Sequence, residues 1–302
     1  MAETEFQNQR VHELRDGDSQ ALIAPGYGAR LLRWTIGEQP IIHWPENADW
    51  SSIDSIAHTR GGNPILFPFL GRHYVDGELA KWRDESGVAR DLPMHGFARD
   101  LPFEVVEASA GVLRMRLEAT EHTRAMYPFK FRFDVVYRLR GSTLEASFET
   151  SNLGSTPLPY YAGHHFYFSI PHQQREDWKI ELPCRTWGRQ NPDGTPRLEP
   201  AGSTHTTLAD EKLIDRFHLD FFGPRVSIRS EKARRKIEVE WDAAQSGLWH
   251  DVTTWTQAPE SDFYCVEPWL GLPDAIHHGN GLRHIAPGAI ETATCRIVAN
   301  SI

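Results

Sequence analysis

Cysteine is scarce: only Cys184, Cys265 and Cys295 occur in 302 residues, and no two stand in C-x-x-C spacing. An odd count without that spacing excludes a disulfide framework and predicts free thiols in a reducing cytoplasm. Long apolar runs are missing too, since none approaches the roughly 20 residues that a membrane helix needs. The opening MAETEFQNQR is polar and acidic, so a secretory signal is not expected there. Positive charge is in deficit. Thirty-two Lys and Arg against 41 Asp and Glu leave a net charge of -9. That argues against nucleic acid or an anionic membrane as partner, because phosphate binding wants a surplus of cations. No repeat of fixed period and no low-complexity linker occurs.

Familiar catalytic signatures are absent as well. HExxH does not occur, and no Cys/His pairs carry structural-zinc spacing, so no metal is expected. His277 and His278 with His284, in a Gly-rich stretch, are the one weak metal candidate, against the plainer reading of a solvated loop. G-x-S-x-G is missing, which removes a serine nucleophile on a strand-to-helix elbow. Gly61-Gly62 is not followed by GK[ST] and is no phosphate loop.

What the chain does contain is alternation. In FKFRFDVVYRLR at 129–140 odd positions are apolar and even ones mostly charged, the pattern of a strand with one wet face. Gly141-Ser142 then turns the chain, and Leu144, Ala146 and Phe148 alternate with Glu145, Ser147 and Glu149, predicting a hairpin. Leu113, Met115 and Leu117 repeat the pattern, as do Ile237, Val239 and Trp241. Twenty prolines and 23 glycines punctuate many short strands. Helical periodicity is nearly absent, with room for a turn or two at 207–217. The expectation is all-β, a large antiparallel sandwich forming one domain over residues 1–302.

Three segments break the alternation, and local rules fail where function constrains a chain. They are RGGNPILFPFLGR at 60–72 with LPMHGFAR at 92–99, YYAGHHFYFSIP at 160–171, and FYCVEPWLGLPD at 263–274. Glu267 ends a strand-like run before Pro268 and beside Trp269. It is either a partly desolvated carboxylate with a raised pKa or a surface Glu at a strand exit. His165 is either a satisfied core histidine or an acid–base group. His164 points to the opposite face, because strand neighbours do. Fifteen Phe, 10 Trp and 8 Tyr divide by context. Phe129, Phe131, Phe133, Tyr137, Phe148 and Trp241 alternate with charge and belong to the core. Tyr167, Trp269 and Phe97 are interleaved with His, Arg and Glu.

Together these segments resemble the aldose 1-epimerase (galactose mutarotase-like) family, in its bacterial branch with FP-x-x-GR followed by HGFAR. Here those motifs are FPFLGR at 67–72 and HGFAR at 95–99. The family's G-x-H-P-Y-F becomes GHHFYF at 163–168, and its C-terminal acidic element becomes VEPW at 266–269 with Pro273-Asp274-Ala275 and Ala286-Pro287-Gly288 following. The resemblance implies a β-supersandwich that interconverts sugar anomers without a cofactor. It makes Glu267 the base and His165 the acid, which requires an ionised carboxylate beside a protonated imidazole at neutral pH. His95 and Arg72 match sugar-binding positions, Asp215 aligns with a further sugar-binding acid, and Tyr167 and Trp269 offer faces for the sugar's C–H surface. Two departures stand out. Phe166 replaces Pro, and Met94 stands where Gln is common.

The implied substrate is a small sugar, for a monomer or homodimer. A sister group acting on hexose 6-phosphates grips phosphate with an Arg before Gly-Gly-x-Pro and with the Arg of HGFAR. Arg60 and Arg99 stand in those places, and a pair of guanidiniums suits a phosphate dianion. The spacer between Gly71 and His95 is nearer the free-sugar branch, so a free aldohexose is expected, with the 6-phosphate as alternative. A carbohydrate-binding module without turnover would not need both Glu267 and His165 in these contexts. A lyase or hydrolase on a related supersandwich would be expected to work in a long open cleft on secreted substrates, which the polar opening does not suggest.

Overall fold

A computed structural model describes residues 2–242, 244 and 247–302. Strands dominate it, arranged among the described residues as a 13-stranded and a nine-stranded sheet, with small two-stranded ribbons. Seven strands build the region around the site: β1 (Phe131–Arg140), β2 (Thr143–Asn152), β3 (Phe166–Ser169), β4 (Arg216–Leu219), β5 (Asp251–Trp255), β6 (Phe263–Trp269) and β7 (Ile290–Ser301). Strands β1, β2 and β7 are neighbours in the nine-stranded sheet, and β3, β6, β5 and β4 run side by side in the larger one. Every ladder in both sheets is antiparallel.

The expected hairpin is β1–β2, closed by Gly141-Ser142 with Arg140 opposite Thr143. Gly141 has φ +51°, a left-handed conformation that a tight hairpin turn asks for. The alternating runs near 113–117 and 237–241 lie in strands Val112–Glu118 and Arg235–Trp241. The outward face of β1 is less wet than expected. Asp134 is buried because Arg116 binds both its oxygens at 2.8 Å and Arg114 reaches it at 3.2 Å.

Helix is confined to short pieces. The predicted turn at 207–217 is a single 3-10 turn, Glu211–Leu213, between strands. Two six-residue helices, Ile53–His58 and Glu121–Met126, were not anticipated. Six residues are under two turns, too few to display a 3.6-residue period. They hold because the Ser52 and Thr120 hydroxyls accept from the backbone N–H of Ser55 and Thr123.

Between the sheets lies an aromatic core. Phe67 stacks on Phe133 at 4.0 Å, and Phe131, Tyr127 and Phe97 close around it. Phe97 is therefore a core ring, packed on Phe131 at 6.0 Å, and not a face of the site. The strand context around it alternates poorly because it sits at the entry to the turn Ala98–Asp100. Tyr137, Phe148 and Trp241 are buried as expected, with Phe129 half-buried against the same core.

Candidate active site

The register of the larger sheet decides which side chains meet. Phe166 pairs with Val266, Glu267 with Thr253, and Thr253 with Phe217. In each of these ladders odd-numbered residues face odd-numbered ones, so 165, 267, 253 and 217 fall on one face. The even set, including Phe166, Val266 and Val252, points into the core between the sheets. His165 lies in a one-residue gap between paired segments, and Gly163 opposite Trp269 brings it across from Glu267. His165 Nε2 is 3.4 Å from Glu267 Oε2.

Asn63 and Gly62 hold that gap open. The Asn63 side-chain oxygen accepts from the His165 backbone N–H at 2.8 Å, and its amide donates to Tyr137 Oη at 2.9 Å. That amide also faces His164 Nδ1 at 3.0 Å. His164, on the opposite face as expected, is fully buried, stacked on Phe148 at 4.1 Å, and pushed down to about 3 by burial. It is a core histidine. Gly62 has φ +72°, and a Cβ there would lie 2.1 Å from the Leu31 carbonyl oxygen. Only glycine lets this segment lie flat and accept the Tyr167 N–H at 3.0 Å.

A cavity of about 130 Å³ opens over the row, lined among others by His165, Glu267, Thr253, Phe217, Trp255 and Trp269. His95, Arg60, Arg72, Met94, Gln190 and Asp215 complete its wall and rim. His95 sits at φ +70°, and its Nδ1 accepts the Gly71 N–H at 3.1 Å. Its Nε2 therefore carries the hydrogen in the neutral ring and is free to donate. The His95 ring is 5.8 Å from that of His165 and 6.3 Å from Trp269.

Seven of the nine expected residues come together here: Glu267, His165, His95, Arg72, Arg60, Trp269 and Asp215. Two stand behind them. Tyr167 is buried and stacks under the His165 ring at 4.8 Å, a platform for the imidazole and not a face for a ligand. Arg99 is buried, donates to the Met94 carbonyl at 3.0 Å, and lies 3.8 Å from Asp100, so it braces the loop that carries His95. Thr253, Trp255, Phe217 and Gln190 were missed. Their sequence context is ordinary strand, and only knowing that β5, then β4, then the strand Thr186–Gln190 follow β6 across the sheet brings them to the cavity. Arg60 lies over the Trp255 ring at 5.3 Å. Among the described residues, neither Arg60 nor Arg72 has an ion-pair partner. His277 and His278 do not form a metal cluster with His284. His277 faces Asp274 Oδ1 at 2.7 Å and accepts the Arg83 N–H, while His278 faces the Pro273 carbonyl and the Asn280 N–H.

The electrostatics differ from expectation. Burial pushes the Glu267 carboxyl well above the usual range, and the neighbouring carboxyls of Asp215 and Asp251 push the same way. Burial drives the His165 imidazole well below its ordinary value, with Arg99, Arg30 and Arg60 adding to it. Burial thus favours a neutral acid beside a neutral imidazole, where the expected roles ask for an ion pair. Both descriptions hold one proton between two groups 3.4 Å apart, so they differ only in where that proton sits.

A model of the aldose 1-epimerase family matches residues 10–297. The chain belongs to that family. It is 27% identical over 238 residues to protein LacX (chromosomal) of Lactococcus lactis subsp. lactis, which spans 73% of this chain and 77% of the relative. It is 29% identical over 148 residues to a Salmonella typhimurium protein provisionally named glucose-6-phosphate 1-epimerase, 47% of this chain and 43% of that one. Among solved structures, Slr1438 of Synechocystis sp. PCC 6803 matches over 100% of both chains, with a TM-score of 0.83 and 25% identity. A galactose mutarotase related enzyme from Lactobacillus acidophilus matches over 96% and 97%, with a TM-score of 0.78 and 23% identity. The fold of the family member described here is accordingly galactose mutarotase-like, as the motifs implied. No helix among the described residues is long and apolar enough to cross a membrane.

Proposed function

We propose that this family member is an aldose 1-epimerase that interconverts the α and β anomers of a free aldohexose. The supporting observation is the His165–Glu267 pair, 3.4 Å apart on the floor of a cavity whose walls offer a free imidazole donor and an indole face. One group takes the proton of the C1 hydroxyl, the C1–O5 bond breaks, and the other group delivers a proton to O5. The open-chain aldehyde rotates about C1–C2, and the reverse transfers close the ring on the other face. A pair that holds one proton can give and take without net change, so the chemistry asks for no cofactor.

In this reading Glu267 is the base and His165 the acid. The sugar hydroxyls, by solvating the carboxylate as they displace water, favour the tautomer in which His165 carries the proton. His95 Nε2–H, Arg72 and Asp215 then hold ring hydroxyls, and Trp269 covers a C–H face. One domain over 1–302, acting in the cytoplasm, fits the family match along the chain and three free, buried thiols.

A hexose 6-phosphate is the second reading, favoured by the unpaired Arg60 at the rim of the cavity. Polarimetry separates the two. Freshly dissolved α-D-glucose or α-D-galactose should lose its excess rotation faster with protein than without, and Arg60→Ala should leave that rate within about threefold. If only glucose 6-phosphate responds, and Arg60→Ala abolishes the response, the phosphosugar is the substrate. Sugar binding with no acceleration of either class would reduce the protein to a binding module.

A further inference from the structure

Cys265 lies two residues before Glu267 in β6, on the same face, and the reaction outlined above gives it nothing to do. Its plainer role is that of a small apolar residue packed among Tyr167, Phe263 and Trp255. Yet its sulfur, a His165 ring nitrogen and a Glu267 oxygen all lie within 4.8 Å of one another, and all three residues are buried. Among the described residues no other three His, Cys, Asp or Glu side chains meet in this way. A second observation points into the same space. Glu267 Oε2 is buried and makes no hydrogen bond.

We infer that His165, Cys265 and Glu267 form an inhibitory site for a borderline divalent transition ion, with Zn²⁺ its representative. Two N or O ligands of a tetrahedral zinc, each at about 2.0–2.1 Å, stand roughly 3.3–3.4 Å apart. The His165 Nε2 to Glu267 Oε2 distance, 3.4 Å, already has that value. Only the sulfur must approach, by about 1 Å, to reach the roughly 3.5 Å that a Zn–S bond of about 2.3 Å implies. One thiolate and one carboxylate cancel the charge of the ion, so the complex adds no net charge to a buried site. Nitrogen, sulfur and oxygen together select this ion class over Mg²⁺ or Ca²⁺, which prefer all-oxygen shells. His165 and Glu267 both line the cavity, from which water would supply a fourth ligand. Occupation would engage both groups assigned to proton transfer, so the inhibition rests on the proposed epimerase reading, whereas binding does not.

The test uses the full chain, freed of metal by a chelator, with Co²⁺ as spectroscopic probe. One equivalent of Co²⁺ per chain should bring tetrahedral d–d bands and a near-ultraviolet thiolate-to-cobalt band, both bleached by Zn²⁺. Cys265→Ser should lose the thiolate band, and Cys265→Ala, which keeps the apolar packing, should lose it too. With the sugar that wild type turns over, Zn²⁺ should inhibit reversibly and in competition with that sugar. Each Cys265 variant, whatever its own rate, should need at least tenfold more Zn²⁺ for half-inhibition.

No thiolate band in wild type overturns the site. So does a band that survives in both variants, which would move the metal to another thiol such as Cys184, 3.9 Å from His218 Nδ1. A Co²⁺ band lost with Cys265, in a protein that accelerates no sugar, would uphold the metal site and sink the epimerase reading. Acceleration without the band would do the reverse.

Discussion

The Gly71 N–H donates to His95 Nδ1 at 3.1 Å, while the His95 N–H donates to the Gly71 carbonyl at 2.9 Å. This reciprocal pair fixes both the ring tautomer and its direction into the cavity. Asparagine at 95 would place its side-chain oxygen near Nδ1 and tolerates the local φ of +70°. His95→Asn should therefore fold normally yet lose the Nε2 donor. We expect KM to rise about tenfold with kcat changed less, the value of one lost hydrogen bond of about 1.4 kcal/mol. Steady-state polarimetry checks it, and an unchanged KM would remove His95 from substrate binding.

Glu267→Gln and His165→Asn should each lower kcat on the order of 10²-fold or more, as groups that carry protons do. The double variant should lose little beyond the worse single, because the two act as one unit. Glu267→Gln should not destabilise the fold, since it replaces a carboxyl that burial favours as neutral by a neutral amide of the same shape. Coupled-assay rates and urea midpoints on the three variants decide the matter.

A further expectation concerns pH. The active form holds one proton on the His165–Glu267 pair. Taking a second proton titrates His165, lowered well below its ordinary value, and losing the first titrates Glu267, raised well above its own. The profile of kcat/KM in the free enzyme should thus stay high well below pH 6.5. It should fall only where Glu267 gives up its proton, far above the ordinary carboxylate range. An acid arm at pH 6.5 would show that His165 is solvated and not buried as described.

Stability should also peak near pH 6.5. His73, His164 and His218 are pushed down to about 3 by burial, and His95 and His165 are lowered too. Below 6.5 the unfolded chain takes up these protons and the native one does not, so stability falls as pH drops. Glu267 and Asp251 are raised by burial and act oppositely, favouring the native state at low pH and losing that contribution as pH rises. His43 and His250 are lowered by burial as well, so the imidazoles outnumber the raised carboxyls and set the sign below 6.5. Above 6.5 the raised carboxyls, and at higher pH the buried thiols, set a decline. Urea midpoints at pH 5, 6.5 and 8.5 should be highest at the middle value.

Gly62→Ala should be among the most damaging single changes. A Cβ 2.1 Å from the Leu31 carbonyl oxygen at φ +72° forces the backbone to move, at a cost of about 3 kcal/mol or more. The same shift breaks the bond from the Tyr167 N–H and loosens the platform under His165. A lower urea midpoint together with a lost rate is the expected outcome. Gly87→Ala, with open space around its Cβ position, is a milder control at the same sign of φ.

Much of this was readable from residues. Alternation at 129–149 located β1 and β2 because one face is solvated, and the three segments that broke alternation do converge on one cavity. Six of the proposed site residues were legible for that reason, and Asp215 only through the family resemblance. Thr253, Trp255 and Phe217 were not, since nothing local tells which strands lie next to β6. Phe97, Tyr167 and Arg99 were misplaced by proximity in sequence to polar residues. Tyr167 shares the face of His165 but is covered by its ring, and Phe97 and Arg99 sit at the turn 98–100, where strand alternation gives no guide to direction. The raised Glu267 carboxyl was one of the two readings of its sequence context, whereas the lowered His165 imidazole was not legible, because depth of burial cannot be read from a motif.

The parity of the larger sheet has a consequence for how this site can change. The positions proposed for catalysis and support occupy odd numbers on β4, β5 and β6 and at the entry to β3, while the packing against the second sheet occupies even ones. Point substitutions can therefore explore new sugars on one set while the other stays untouched. A single-residue deletion inside β6 is another matter. It acts as a structural frameshift, trading Glu267 for Val266 or Pro268 and sending a carboxylate into the core. Lineages of this fold should tolerate length variation between these four strands and almost none within them.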